Sequence, residues 1–194
     1  MTVTSQAGPS FPAETIEGAG FVLRPLTADD VDDITVACQD EATLAWLPLP
    51  QPYERRHAEG FVNEIARTAM ESGRGLVLAI EVDGRLHGCI DLKSTDWVSR
   101  TTEIGYWVAP WGRGNGLAGR ATRTLAEWAL REQGFERVVV RAATGNRASQ
   151  RAAESAGFVA EGTARNAGFI RAGRVDLEVY SLVRSDLRRP GKAD

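Results

Sequence analysis

Residues Val108 to Ala121 read VAPWGRGNGLAGRA, and Gly114, Gly116 and Gly119 fall in the G-x-G-x-x-G register of dinucleotide-binding loops. That fold requires more than the hexapeptide: the loop follows the first strand of a repeated β-α-β array, and an acid about twenty positions on holds the ribose. About 110 residues precede this loop and only about 75 follow it, too few for two mononucleotide halves. VVVRAAT, Val138 to Thr144, offers Arg141 where the acid would stand, which leaves an NADP-dependent oxidoreductase as a minor alternative. No Gly-Lys-Ser/Thr follows the loop, so the kinase-type phosphate loop is excluded. What the stretch does supply is a strand end at Pro110, a turn of small residues opening with Arg113, and a helix N-terminus. Successive backbone N–H groups point one way there, glycines let a ligand approach the backbone, and the helix dipole adds partial positive charge. The residues make a pyrophosphate site with one supporting arginine.

Outward from the loop, FVLRPLT (Phe21 to Thr27) reads as a strand, and Thr27 with Asp30 makes a capping-box start for a helix over ADDVDDITVACQ. EATLAWLPLPQPY (Glu41 to Tyr53) holds three prolines and reads as a loop exposing Trp46, Leu47 and Tyr53. In the next segment Phe61, Ile65 and Ala69 put an apolar stripe on a helix closed by Gly73. GLVLAIEVDGRLHGCIDLKST is a hairpin around Asp83-Gly84, and TTEIGYWVAP a third strand of this group. Beyond the glycine loop, Leu117, Ala121, Leu125, Trp128 and Ala129 recur at helical spacing up to Gly134. ERVVVRAAT is a buried strand, and NRASQRAAESAGF a short helix capped by Asn146 and stopped by Gly157. FVAEGTARN and VDLEVYSLVR pair across a turn at about Gly168 to Gly173. The order is a mixed α/β sheet with one crossover helix after the loop, over residues 20–185. Residues 1–19 and 186–194 are expected to be flexible ends.

The 194-residue chain suits one domain, and 43% hydrophobic with 25% charged residues is a globular composition. No signal peptide and no run of some eighteen apolar residues occurs, so a cytoplasmic protein without membrane contact is expected. Cys38 and Cys89, with His57 and His87, have no metal-ligand spacing, so no metal is expected. Net charge is −3 but uneven: through Ile104 there are 8 Lys+Arg against 17 Asp+Glu, and beyond it 15 against 9. An anionic ligand suits the second half. An extended nucleic-acid surface is disfavoured, because the arginines are dispersed without interleaved aromatics.

Arg113-Gly114-Asn115-Gly116-Leu117-Ala118 matches the R/Q-x-x-G-x-G/A loop with which the GNAT superfamily of N-acetyltransferases grips the pyrophosphate of acetyl-CoA. The chain resembles that superfamily over about residues 20–184. FVLRPLTADDVDDI is similar to its opening strand and helix, TTEIGYWVAP to its central splayed strand, and NRASQRAAESAGFVAEG to its second conserved block, above all in the branch acting on ribosomal-protein N-termini. The resemblance implies a GNAT fold, a mostly antiparallel sheet with a splayed strand and flanking helices, and acetyl-CoA as cosubstrate. It further implies that backbone groups of Trp107, Val108 and Ala109 hold the pantetheine arm, that residues Arg113 through Ala118 hold the pyrophosphate, and that Asn146 and Ser149 flank the arm and its sulfur.

The tyrosine with which the family protonates the thiolate falls at Ala153, so Ser149 is the implied substitute; Glu103 stands where many members carry a base acting through water. A further carboxylate that some branch members carry in the last hairpin is replaced by Asn166-Ala167-Gly168. Deprotonating an α-amine at pH 7 costs about 1.4 kcal/mol and a lysine about 4.6, so a site with a weakly marked base suits an α-amine better. The implied reaction is direct acetyl transfer to a primary amine, a protein N-terminus before a small molecule; Trp46, Leu47, Tyr53 and the last hairpin are expected as the acceptor walls. A CoA-binding module without catalysis is the other reading. A homodimer is compatible with the sequence, which has no feature that decides it.

Overall fold

The computed structural model describes residues 10–188. One eight-stranded sheet runs through it in the order β1-β2-β3-β4-β5-β6-β8-β7. The strands are β1 (Ile16–Gly18), β2 (Phe21–Pro25), β3 (Leu76–Val82), β4 (Arg85–Asp96), β5 (Thr101–Val108), β6 (Arg137–Ala143), β7 (Val159–Ile170) and β8 (Gly173–Val183). Only β5 and β6 run parallel, because the crossover helix α5 (Leu117–Arg131) joins them.

Helix α5 covers one face of the sheet. Leu117, Ala121, Leu125, Trp128 and Ala129, the stripe read from the sequence, are all buried on it. A buried leucine contributes roughly 1.5–3 kcal/mol, so Leu125→Ala would cost about 2–5 kcal/mol. The other face carries α1 (Val31–Gln39), α2 (Glu41–Leu44) and a helix built as α3 (Arg55–Gly60), a π-turn segment (Phe61–Ile65) and α4 (Ala66–Glu71). Val31, Ile34, Cys38, Tyr53, Ala58 and Val62 close a second core there against Ala79, Leu86 and Cys89. The short α6 (Arg147–Ser155) flanks α5, with the Asn146 side chain accepting from Ser149 N–H as its N-cap.

The hairpin at Asp83-Gly84 is present with both turn residues at positive φ, 48° and 77°. Other expectations need correction. The boundary at residue 20 lies inside the fold: Ile16↔Leu23 and Gly18↔Phe21 pair, and Phe11 is 4% exposed between Trp97, Trp128 and Phe135. The flexibility expected of residues 1–9 and 189–194 lies outside the described residues; Asp186–Arg188 form a 3₁₀ turn. The proline-rich loop begins as a helix, because Asp40 caps α2 through Thr43 N–H. Tyr53 is not an exposed loop residue but 6% exposed beneath α1. The π-turn rotates the long helix, so Ala58, Val62 and Ala66 face the core and Ile65 stands 59% exposed. The final strands also extend further than read, turning at residues 171–172.

Candidate active site

The sheet opens where the glycine loop leaves it. β5 and β6 pair from Thr101↔Arg137 to Ile104↔Val140 and then part. Beyond that point Gly105–Val108 pair only with β4, and Arg141–Ala143 only with β8. Each strand then presents backbone groups to a wedge-shaped gap, where an extended ligand can satisfy them.

A cleft of about 640 Å³ runs from this gap to the N-terminus of α5. Its walls include Trp107, Val108, Arg113, Gly114, Gly116, Leu117 and Ala118, the opposing Asn146 and Ser149, and Trp46 and Leu47. Gly114 and Gly116 have φ of 86° and 73°, left-handed conformations that disfavour other residues, and a Cβ on either would point into open space. Gly116, the N-cap of α5, has no side chain to cap it and Asn115 takes only Leu117 N–H, so the following first-turn N–H groups face the cleft mouth as donors. These features fit a pyrophosphate.

Several residues take parts the sequence did not disclose. Ala109 is withdrawn from the cleft: its N–H donates to His87 O at 2.8 Å and its carbonyl accepts from Gly112 N–H at 2.8 Å. Asn115 turns back, its Oδ1 accepting from Leu117 N–H at 3.1 Å. Gly119 packs directly against α6, since a Cβ there would stand 2.1 Å from Ser155 Oγ and 3.2 Å from Ala152 O. Its bareness sets the approach of α6 to α5. Arg113 lies in the cleft wall with Nη2 on Asp40 Oδ2 (2.6 Å) and Thr43 Oγ1 (2.8 Å), and Nε on Val108 O (3.1 Å). Trp46 packs over Gly145 from the other side, 3.4 Å from where a Cβ would be.

Ser149 has a partner that sequence reading missed. Tyr106, on the α5-facing side of β5, places its hydroxyl 2.9 Å from Ser149 O and 3.0 Å from Ser149 Oγ. Burial raises the Tyr106 pKa, so the phenol stays protonated. Ala153, where the family tyrosine falls, is fully buried. The alternation in TTEIGYWV was the available signal, since it puts Tyr106 on the same face as Ile104 and Val108.

Glu103 is on the opposite face, 8% exposed and outside the cleft. Its Oε2 accepts from Arg141 Nε at 2.8 Å and pairs with Nη2 at 2.6 Å, and its Oε1 lies 3.7 Å from Lys93 Nζ. Arg141, the residue in the ribose-acid position of the dinucleotide reading, is therefore spoken for.

A second cavity of about 340 Å³ lies under α1 and the long helix, on the Glu103 side of the sheet. Tyr53, Phe61, Ile65, Ala69, Cys38 and Cys89 are among its walls. Leu47 and Trp107 belong to both cavities, so the chamber adjoins the cleft across one layer of side chains. Burial pushes the Cys38 thiol up to about 12 and raises Cys89 as well, so neither is a thiolate near neutral pH.

A sheet splayed beside a glycine loop and a helix N-terminus defines a site for a long acyl donor with a phosphate tail. Residues 21–159 match the family model described as "Acetyltransferase (GNAT) domain". The chain belongs to the GNAT acetyltransferase family. It is 38% identical over 112 residues to the Putative ribosomal N-acetyltransferase YdaF of Bacillus subtilis (strain 168), a match covering 58% of this chain and 61% of that protein. The chain thus spans less than two thirds of that relative's length. A crystal structure of a probable acetyltransferase is 30% identical, with a TM-score of 0.77 over 89% of this chain and 98% of the other. Mycobacterium smegmatis RimJ in complex with CoA-disulfide has a TM-score of 0.81 at 19% identity, covering 91% and 90%, a likeness of fold alone. Among the described residues no helix is long and apolar enough to cross a membrane.

Proposed function

We propose that the protein is an N-acetyltransferase that moves the acetyl group of acetyl-CoA to a primary amine by direct attack. The observation that carries this reading is the wall of Leu47 and Trp107 common to cleft and chamber. A donor in the cleft and an acceptor in the chamber meet there, and binding both in line supplies several kcal/mol of the barrier without a covalent enzyme intermediate. The raised pKa values of Cys38 and Cys89 argue against an acyl-cysteine route.

In this reading the glycine loop and the start of α5 hold the pyrophosphate, with Arg113 as part of its wall. Backbone groups of Trp107 and Val108 and the Asn146 amide hold the pantetheine arm. Ser149 protonates the departing thiolate and draws on the Tyr106 hydroxyl behind it. Glu103 sets the field beside the acceptor through Arg141 and Lys93. The similarity to a protein named as a ribosomal N-acetyltransferase favours a protein α-amine as acceptor over a free amine.

Thiol release from acetyl-CoA, measured across a panel of amines and peptide N-termini with product mass spectrometry, tests this. A mass increment of one acetyl group on an amine, with none retained on the enzyme, is the expected result. Tight CoA binding with no release for any acceptor would instead mark a CoA-binding module.

A further inference from the structure

The chamber beside the cleft is apolar almost throughout, yet one carboxylate opens onto it. Asp91, on β4 opposite Gly105, is half-buried and makes no hydrogen bond or ion pair among the described residues. Desolvation raises its pKa, outweighing the opposing pull of Lys93, and the neighbouring Glu103 adds to the rise. Gly105 leaves room for it: a Cβ there would stand 2.6 Å from Asp91 Oδ1 and 2.5 Å from Lys93 Nζ. Glu103 has both oxygens committed to Arg141 and Lys93. Asp91 has no hydrogen bond or close ion pair to give up, only the longer-range attraction of Lys93. It stands two strand residues from the Trp107 position, about 7 Å along the sheet, on the same face as Trp107 and on the chamber side of the wall shared with the cleft.

We propose that Asp91 receives the acceptor's ammonium and takes its proton, and that the chamber selects a primary amine with a compact, otherwise uncharged apolar body. This rests on the acetyl-transfer reading above. The proton leaves nitrogen for the Asp91 carboxylate and thence solvent, freeing the lone pair that forms the N–C bond to the thioester carbonyl. As the C–S bond breaks, its electron pair goes to sulfur. Nitrogen sheds its second proton, and sulfur gains one, so one proton is released overall. A body with a second positive charge is disfavoured, because Arg74 and Lys93 are the other charged groups in the wall and both are cations. The walls of Leu49, Tyr53, Phe61 and Val77 favour an alkyl or aryl group.

The test compares phenethylamine, a peptide with N-terminal Phe, spermidine and lysine, on the full chain and on Asp91→Asn and Ile65→Trp. Either of the first two acceptors should exceed spermidine and lysine at least tenfold in kcat/KM; which of them leads tells a free amine from a chain terminus. Asp91→Asn should lower kcat/KM at least 50-fold, leave the KM for acetyl-CoA within twofold, and abolish the acidic limb of the pH–rate profile. It should also melt no lower than the parent at neutral pH, since it removes a desolvated charge. Ile65→Trp, at an exposed chamber position, should raise the acceptor KM at least fivefold without lowering Tm. Equal use of spermidine and phenethylamine, or an unchanged acidic limb in Asp91→Asn, would overturn the proposal while acetyl transfer stands. No thiol release with any acceptor would overturn both.

Discussion

Arg113 Nη2 donates to Asp40 Oδ2 across 2.6 Å, joining the glycine loop to the residue that caps α2. The guanidinium beside it holds the Asp40 carboxyl below the ordinary carboxylate range. One arginine thus braces the α2–Trp46 wall while lining the cleft in which the pyrophosphate is proposed to sit. Asp40 is the nearest anion competing with that ligand. Asp40→Asn keeps an oxygen for the Thr43 cap and removes the charge. CoA should bind about three- to tenfold more tightly, roughly 1 kcal/mol for a partly exposed charge at this range. Calorimetric titration checks it, and unchanged affinity would show that Arg113 serves only as a brace.

The Tyr106–Ser149 pair is expected to act as one proton source. Tyr106→Phe should lower kcat about 10- to 100-fold with the KM for acetyl-CoA unchanged, the range for losing a positioned proton donor. Ser149→Ala should cost a similar factor, and the double variant little more than either alone, because both remove the same relay. Multiplicative losses would mean that the two hydroxyls act independently.

Gly116 and Gly119 sit three residues apart and are expected to fail differently. Gly116 has φ of 73° with open space beyond it, so Gly116→Trp places an indole in the proposed phosphate site at a backbone cost of about 1–2 kcal/mol. CoA affinity should fall more than tenfold in a protein that still folds. Gly119→Leu drives a side chain into Ser155 and the Ala152 carbonyl, and overpacking costs about 1–3 kcal/mol, lowering Tm by about 2–12 °C. Paired binding and melting measurements distinguish the two.

How much of this was legible in the sequence differs by the range of the interaction. The α5 stripe, the Asp83-Gly84 turn and the Asn146 cap depend on neighbours within a few residues, and each stands where the sequence put it. The glycine loop leads from β5 into α5 as read, with Gly114 and Gly116 at positive φ. Ile16–Gly18 is too short for any alternation to show, and becomes a strand only because β2 offers an edge. Tyr53 looked exposed among prolines, and α1 covers it. Asp91 reads as the polar side of a hairpin in HGCIDLKS; only the long helix across that face turns the side into a chamber wall. Tyr106 and Ser149 are 43 residues apart, and their meeting depends on the splay between β5 and β6.

Glu161 predicts part of the acid response. Arg137, bonded to both its oxygens, and Ser181 hold its pKa down to about 2 from an ordinary 4.5. A depressed folded-state pKa gives stability that is present above the unfolded value and lost as pH falls through the folded one. The contribution should therefore fade between about pH 4.5 and 2. With the carboxylate 38% exposed, screening limits it to about 1 kcal/mol or less. Urea midpoints of the parent and Glu161→Gln should differ at pH 6 and converge toward pH 2. A constant gap would mean that the loss comes from packing.

Phe11 tests whether the N-terminal segment belongs to the fold in solution. Its ring lies 5.0 Å from Trp97, 6.1 Å from Phe135 and 6.5 Å from Trp128 between centroids, and Trp128 Nε1 donates to Glu14 Oε1 at 2.8 Å. These contacts tie the residues before β1 to the helix whose N-terminus is proposed to hold the phosphates. Phe11→Ala should cost about 3–5 kcal/mol, the range for emptying a buried phenylalanine site. For a chain of this size that lowers Tm by roughly 6–20 °C, and the tryptophan emission should shift to the red as Trp97 and Trp128 gain water. An unchanged Tm would mean that the aromatic cluster closes without Phe11, and that the domain begins at β2 as its sequence pattern suggests.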